Sequence, residues 1–207
     1  MGTTTLIWDH QRVALWRAGR QGCVVLAEGV ASSADAVVDF LELHADALSI
    51  TRLRIYVDLP ALDHYLERIP QIGLKLQKQL LEQRNQKQYG NESRAWSATP
   101  MHLEGERTHQ FHFVSSLPQE SVVPVARWAL TAGVYFEGIY SLPHALSLLP
   151  TGEPHEGGER IQYTALGTAG YLIARNSGGR MLFFSRLEGT VRDHAQLEQS
   201  ARRLALF

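Results

Sequence analysis

Thr5-Leu6-Ile7-Trp8-Asp9-His10-Gln11-Arg12-Val13-Ala14-Leu15-Trp16 opens the chain, and a similar pattern returns near its end as Tyr163-Thr164-Ala165-Leu166-Gly167-Thr168-Ala169-Gly170-Tyr171-Leu172-Ile173-Ala174. In each, an apolar run rich in β-branched and aromatic residues is interrupted by small or polar residues and then resumes. That is the pattern of a strand folding back on itself. After the second copy, Asn176-Ser177-Gly178-Gly179 supplies another turn. It leads into Arg180-Met181-Leu182-Phe183-Phe184-Ser185-Arg186. Two such starts predict two related α/β lobes, one over residues 1–150 and the beginning of another over 151–207. The stretch from Thr151 to Gly158, rich in Gly, Pro and Glu, reads as the linker between them.

Composition narrows the function classes. Hydrophobic content is 44% and charged content 20%, so the chain can build a core and is not wholly disordered. The formal net charge of -1 excludes a chain-wide attraction to nucleic acid or anionic lipid. No basic region precedes an apolar core at the N-terminus, and no window reaches the ~18 apolar residues of a membrane span. A cytoplasmic protein without a membrane span is expected. The single cysteine, Cys23, forms no internal disulfide, and its apolar run Gly22-Cys23-Val24-Val25-Leu26 predicts burial.

Between the two hairpins the periodicity alternates between strand and helix. Strands are expected at 4–9, 12–17 and 22–28, then a helix at 34–48 capped by Ser32 or Ser33, with Val37, Val38, Leu41 and Ala45 on one face. Leu53 to Val57 reads as a strand ending at Asp58-Leu59-Pro60. Residues 63–89 are rich in Gln, Lys, Arg and Leu, and Pro70 is expected to divide them into a short helix and a longer one at 73–88. Strands at 94–98 and 109–114 follow, and residues 61–106 are expected to form an inserted α+β subdomain. A helix at 119–132 closed by Gly133, a strand at 136–141 and a helix at 142–149 complete the first lobe. The last helix, 193–206, reaches Phe207 without a cap, which predicts that the natural chain continues and that this is an N-terminal piece.

This order resembles the actin-like, ribonuclease-H-like ATPases: a mixed sheet with flanking helices, an inserted subdomain and a second similar lobe. Within them it is similar to the inner-membrane assembly proteins of type IV pili and type II secretion, the PilM and GspL type. Three stretches carry the likeness. They are the opening hairpin around Asp9, the passage Ala129-Leu130-Thr131-Ala132-Gly133-Val134-Tyr135-Phe136-Glu137-Gly138-Ile139-Tyr140-Ser141-Leu142-Pro143, and the strand Gly179 to Arg186. The resemblance implies a protein partner, a short segment of an inner-membrane assembly protein, met at the cytoplasmic side of the membrane. It also implies that the hairpin tips hold the phosphates of ATP in active members, through an acid and a glycine in each. Asp organises the metal's water shell, and Gly lets the backbone approach phosphate.

Both tips depart from that pattern. Asp9 is present, but Gln11 stands at the glycine position. In the second hairpin Gly167 is present, and Ala165 replaces the acid. Asp9 and Gly167 are therefore the candidate cofactor residues of a degenerate site. The leading expectation is a non-catalytic scaffold with no cofactor. The alternative is an ATP- or metal-dependent enzyme of the same fold that uses Asp9 with Mg²⁺.

Other candidates have plainer readings. Asp9 and Asp58 both end strands and could share a metal, but Asp also caps turns, and no third acid is in place. His109 and His112 lie on opposite faces of one strand and, with His102, read as packing or surface residues. Ser115 and Ser116 lack the Gly-x-Ser-x-Gly context of a nucleophile. The basic segment 68–88 lacks interleaved aromatics, so nucleic acid is not an expected partner. Leu74, Leu80 and Leu81 on that segment, with Tyr135 and Phe136 at the exit of the first lobe, are the expected protein-binding residues. The four tryptophans, Trp8, Trp16, Trp96 and Trp128, are expected in the core or between lobes. The apolar hairpin over 171–186 needs cover, either from a second copy in a homodimer or by packing back on the first lobe.

Overall fold

Gly2–Asp9 (β1) and Arg12–Gly19 (β2) form the opening hairpin, and Gly22–Val30 (β3) extends it as a meander. The computed structural model describes residues 2–19, 22–49, 51–101, 108–147, 160–166, 169–175 and 181–188. After β3, Ser33 caps Ala34–Leu43 (α1) by accepting the Ala36 amide at 3.2 Å on its hydroxyl. Ala45–Leu48 (α2) follows, so the continuous helix expected over 34–48 is two helices. The break is at His44, whose ring meets Phe40 edge-on. It lets Leu48 reach the core.

Thr51–Asp58 (β4) runs parallel to β1 in unbroken register from Gly2 opposite Thr51 to Asp9 opposite Asp58. The remaining first-lobe elements are Val123–Thr131 (α4) and Tyr135–Ser141 (β8), which follow an insertion, and then Leu142–Ser147 (α5). Pro124 sits in the first turn of α4, and Gly133 at φ +71° stops it. The five-stranded sheet has the order β3-β2-β1-β4-β8, antiparallel on the β2 side of β1 and parallel on the β4 side. α1 and α4 lie on the same face of this sheet, where their buried residues share one cluster. That face holds the main core, in which Leu6, Trp8, Leu15, Leu53 and Ile55 meet Val37, Leu41, Val125 and Trp128. Trp8 also donates its Nε1–H to the Ala31 carbonyl at 3.2 Å.

The insertion comprises Asp63–Pro70 (β5), Leu74–Tyr89 (α3), Arg94–Met101 (β6) and His109–Pro118 (β7). Residues 63–70, expected as a helix, are a strand. Each residue from Asp63 to Pro70 pairs with β7, from Ser116 back to His109. Pro70 was misleading because a proline is tolerated at the end of an edge strand, and β5 is an edge in the order β5-β7-β6. β7 is the central strand of this sheet.

Arg160–Leu166 (β9), Ala169–Arg175 (β10) and Met181–Glu188 (β11) form a separate antiparallel meander. Tyr171 and Ile173 of β10 are buried in one cluster with Phe113 of β7 and Leu142 and Leu146 of α5. Ile7, Tyr56 and Phe111 pack on that cluster. Three sheets thus share one small core, and these two side chains take their cover from the first lobe. The expected linker at 151–158, the turn at 176–179 and the helix at 193–206 lie outside the described residues.

Cys23 is exposed, contrary to the burial its neighbours predict. An apolar run is buried only where something covers it, and β3 is the outer strand of its sheet. Trp8 and Trp128 are buried, as a core role requires, whereas Trp16 and Trp96 are partly exposed.

Candidate functional site

The face of the five-stranded sheet away from α1 and α4 carries Ile7, Asp9, Ala14, Trp16 and Tyr56. Its strand ends bring the two candidate carboxylates side by side, because Asp9 and Asp58 are opposite one another in the parallel β1–β4 ladder. Both are buried. Beside them lies a cleft of about 500 Å³ lined by Ile7, Ala14, Trp16, Val30 and Leu142, with Asp9, Arg12 and Glu28 as its charged members.

Each carboxylate already has a partner. Asp9 turns back on its own hairpin, where Oδ1 accepts the Gln11 amide at 2.9 Å and the Arg12 amide at 2.6 Å. This is the turn-stabilising use of aspartate. Asp58 accepts a hydrogen bond on Oδ2 from the hydroxyl of Tyr171, a fully buried residue of β10. In the described half of the site the donors and the acids thus answer one another. Gly167 lies outside the described residues. Among the described residues no group of three or more His, Cys, Asp or Glu is placed to hold a metal ion.

The histidines are placed separately. His112 is buried, and neither ring nitrogen has a hydrogen-bond partner. Burial pushes its pKa below the ordinary 6.5. His64 Nδ1 lies 3.1 Å from the hydroxyl of the buried Ser115, and the His64 ring stacks on Phe113. His144 lies 2.6 Å from the Thr99 hydroxyl through Nε2, and burial lowers its pKa as well.

The expected partner-binding residues divide. Leu74 is 84% exposed, and Ile72 and Leu76 beside it are also exposed. Leu80 is half-buried and Leu81 is buried against Ile69 and Val114, so Leu81 belongs to the inserted core. Phe136 packs on the main core. Tyr135 is exposed and lies under the Arg52 guanidinium, whose carbon is 5.3 Å from the ring centroid. Sequence reasoning missed the rest of this β4–β8 surface. Glu137 sits at a bulge in β8 and binds Arg54 at 2.6 Å and Arg52 at 3.7 Å, and Tyr140 lies beside Arg54. The signal available was Glu137-Gly138, since Gly138 adopts φ +151° to make the bulge.

No protein-family model matches the chain, and no curated protein matches it by sequence. Solved structures do match. A chain of a PilM–PilN type IV pilus biogenesis complex is similar over 90% of this chain, with a TM-score of 0.62 and 14% identity. The present chain spans 61% of that one. The cytoplasmic domain of EpsL, an inner-membrane component of the type II secretion system of Vibrio cholerae, is similar over 91% of this chain and 71% of its own, with a TM-score of 0.58 and 9% identity. A Bacteroides thetaiotaomicron protein of unknown function with an actin-like ATPase fold is similar over 100% of this chain and 77% of its own, with a TM-score of 0.58 and 12% identity. No described helix is long and apolar enough to cross a membrane. The chain thus shares its fold with these structures, one of which is described as having an actin-like ATPase fold.

Proposed function

We propose that this protein is a non-catalytic actin-like scaffold that binds a protein partner in type IV pilus or type II secretion assembly, at the cytoplasmic side of the inner membrane. One observation carries the non-catalytic part. Asp9 holds the amides of its own hairpin tip, and Tyr171 holds Asp58. A nucleotide would have to displace both arrangements before gaining a contact. The assembly role is supported by likeness to the PilM–PilN and EpsL structures. Genes for pilins or secretion proteins beside this one would add to that support.

Calorimetric titration with Mg-ATP tests the reading. The expected result is no heat of binding up to about 1 mM ligand. Micromolar binding would refute it. The rival, an ATP- or metal-dependent enzyme, is motivated by the adjacency of Asp9 and Asp58. It requires Asp9→Ala to abolish nucleotide affinity or turnover, and we expect that variant to change neither.

A further inference from the structure

From the N-terminal end of α3, we infer that this end of the inserted subdomain seats on an anionic lipid bilayer, with leucine side chains at the acyl boundary and lysines among the headgroups. The inference goes beyond the scaffold reading, which asks only for a protein partner, and does not rest on it.

β5 ends at Pro70, and α3 starts at Leu74 after the turn Gln71-Ile72-Gly73. The turn is tied to the start of β7, because the Gln71 amide donates to the Thr108 carbonyl at 3.0 Å. α3 is buried through Gln77, Leu81 and Asn85, with Leu81 against Ile69 and Val114. By helical periodicity Leu74 belongs to that same inward row. It is nonetheless 84% exposed, so the first turn carries its apolar side chains beyond the cover of the inserted core. Leu76, about 200° around the helix from Leu74, is exposed, and so is Ile72. These three surround the helix end instead of forming the i, i+3, i+4 stripe that a helix lays into a protein groove. Apolar side chains on all sides of a tip suit end-on entry into a membrane surface.

The charge at this end names the ligand. The chain has three lysines, Lys75, Lys78 and Lys87, and all of them are on α3. No acid occurs from Arg68 to Leu81. Among the described residues no side chain caps α3, and no acid stands in its first turn, so the positive end of the helix dipole is uncompensated. Lys75 and Lys78 are exposed. Lys78 lies about 6 Å along the axis from Leu74, which matches the ~5–10 Å depth at which an interfacial element buries its apolar face. A lysine stem can cover apolar surface while its ammonium stays with the headgroups. Lysine is depleted at protein–protein interfaces, where arginine is enriched. Its confinement to this helix, in a chain whose other strong cations are arginines, favours lipid over a protein here.

The test is flotation of the full chain with vesicles. Vesicles of phosphatidylcholine and phosphatidylglycerol in equal parts should bind the chain, with an affinity that falls as salt rises. Vesicles of phosphatidylcholine alone should bind it about 25-fold less tightly, for two lysines at about fivefold each. On the mixed vesicles Lys75→Gln and Lys78→Gln should each cost about fivefold. Lys87→Gln, about 20 Å farther along the helix, should cost less than about twofold. Leu74→Gln combined with Leu76→Gln should cost about tenfold or more. All of these positions are exposed, so the variants keep the fold.

No binding to the mixed vesicles up to about 1 mM lipid would overturn the inference. So would equal binding to the two vesicle types, equal losses for Lys75→Gln and Lys87→Gln, or binding indifferent to the two leucines. A concentration-dependent dimer by light scattering, dissolved by Leu74→Gln, would assign the helix end to a second copy and overturn it as well. None of these results bears on the Mg-ATP titration, so failure here and failure of the scaffold reading are distinguishable.

Discussion

Replacing Tyr171 with Phe removes one hydroxyl and keeps the ring that packs with Phe113, Leu142, Leu146 and Ile173. The hydroxyl donates to a carboxylate, Asp58, that is itself buried. Hydrogen bonds to charged groups contribute about 1.5–3 kcal/mol, and both ends here are shielded from water, so the full range applies. For a chain of this size each kcal/mol moves the midpoint by about 2–4 °C, which predicts a fall in Tm of about 3–12 °C. Scanning calorimetry of wild type and Tyr171→Phe reads this directly. A double-mutant cycle with Asp58→Asn separates the bond from other effects, because the two changes should be strongly non-additive. Tyr171→Ala should cost more, about 3–5 kcal/mol, since it also empties the shared core. A Tm change for Tyr171→Phe of less than about 1 °C, with additive effects in the cycle, would refute the assignment of this bond as a clamp between β10 and β4.

Burial lowers the pKa of His112 below 6.5, so the unfolded chain binds more protons than the folded one as pH falls. Its contribution is fully present above pH 6.5 and is lost as pH falls through the depressed folded value. His144 acts in the same direction. Thermal denaturation from neutral to mildly acidic pH should show a flat midpoint and then a decline. His112→Leu should remove part of that decline, and an unchanged slope would rule His112 out as a source. Gly138→Ala places a β-carbon where φ is +151° and the Tyr140 hydroxyl is 3.2 Å away, predicting a loss of about 1–3 kcal/mol by urea denaturation. Glu137→Gln should cost less, about 0–1 kcal/mol, because its partner Arg54 is 39% exposed. Equal losses for the two would mean that the bulge carries no strain.

Much of the framework was legible because its signals are local. The alternation in residues 4–17 marks a hairpin wherever the chain later places it. Ser33 caps α1 and Gly133 ends α4 through contacts within a turn. Residues 63–70 were not legible, because their strand character depends on β7, whose residues pair with them from far along the chain. Pro70 and the neighbouring basic composition favoured the wrong local reading. The partner surface was half legible for the same reason. Leu74 and Leu81 look alike in sequence, and only the packing of α3 on Ile69 and Val114 separates the exposed one from the buried one.

The sequence by itself determined the two hairpins and the alternation of strand and helix between them, since strand alternation and turn chemistry act between near neighbours. Only the tertiary structure decided what the carboxylates do. Asp58 meets a hydroxyl 113 residues away on another sheet. Asp9 folds onto the amides of its own hairpin tip, a choice of side-chain direction that no spacing encodes. It was also tertiary structure that left the apolar run at 22–26 uncovered, because strand order, which is set by long-range pairing, put β3 at the edge.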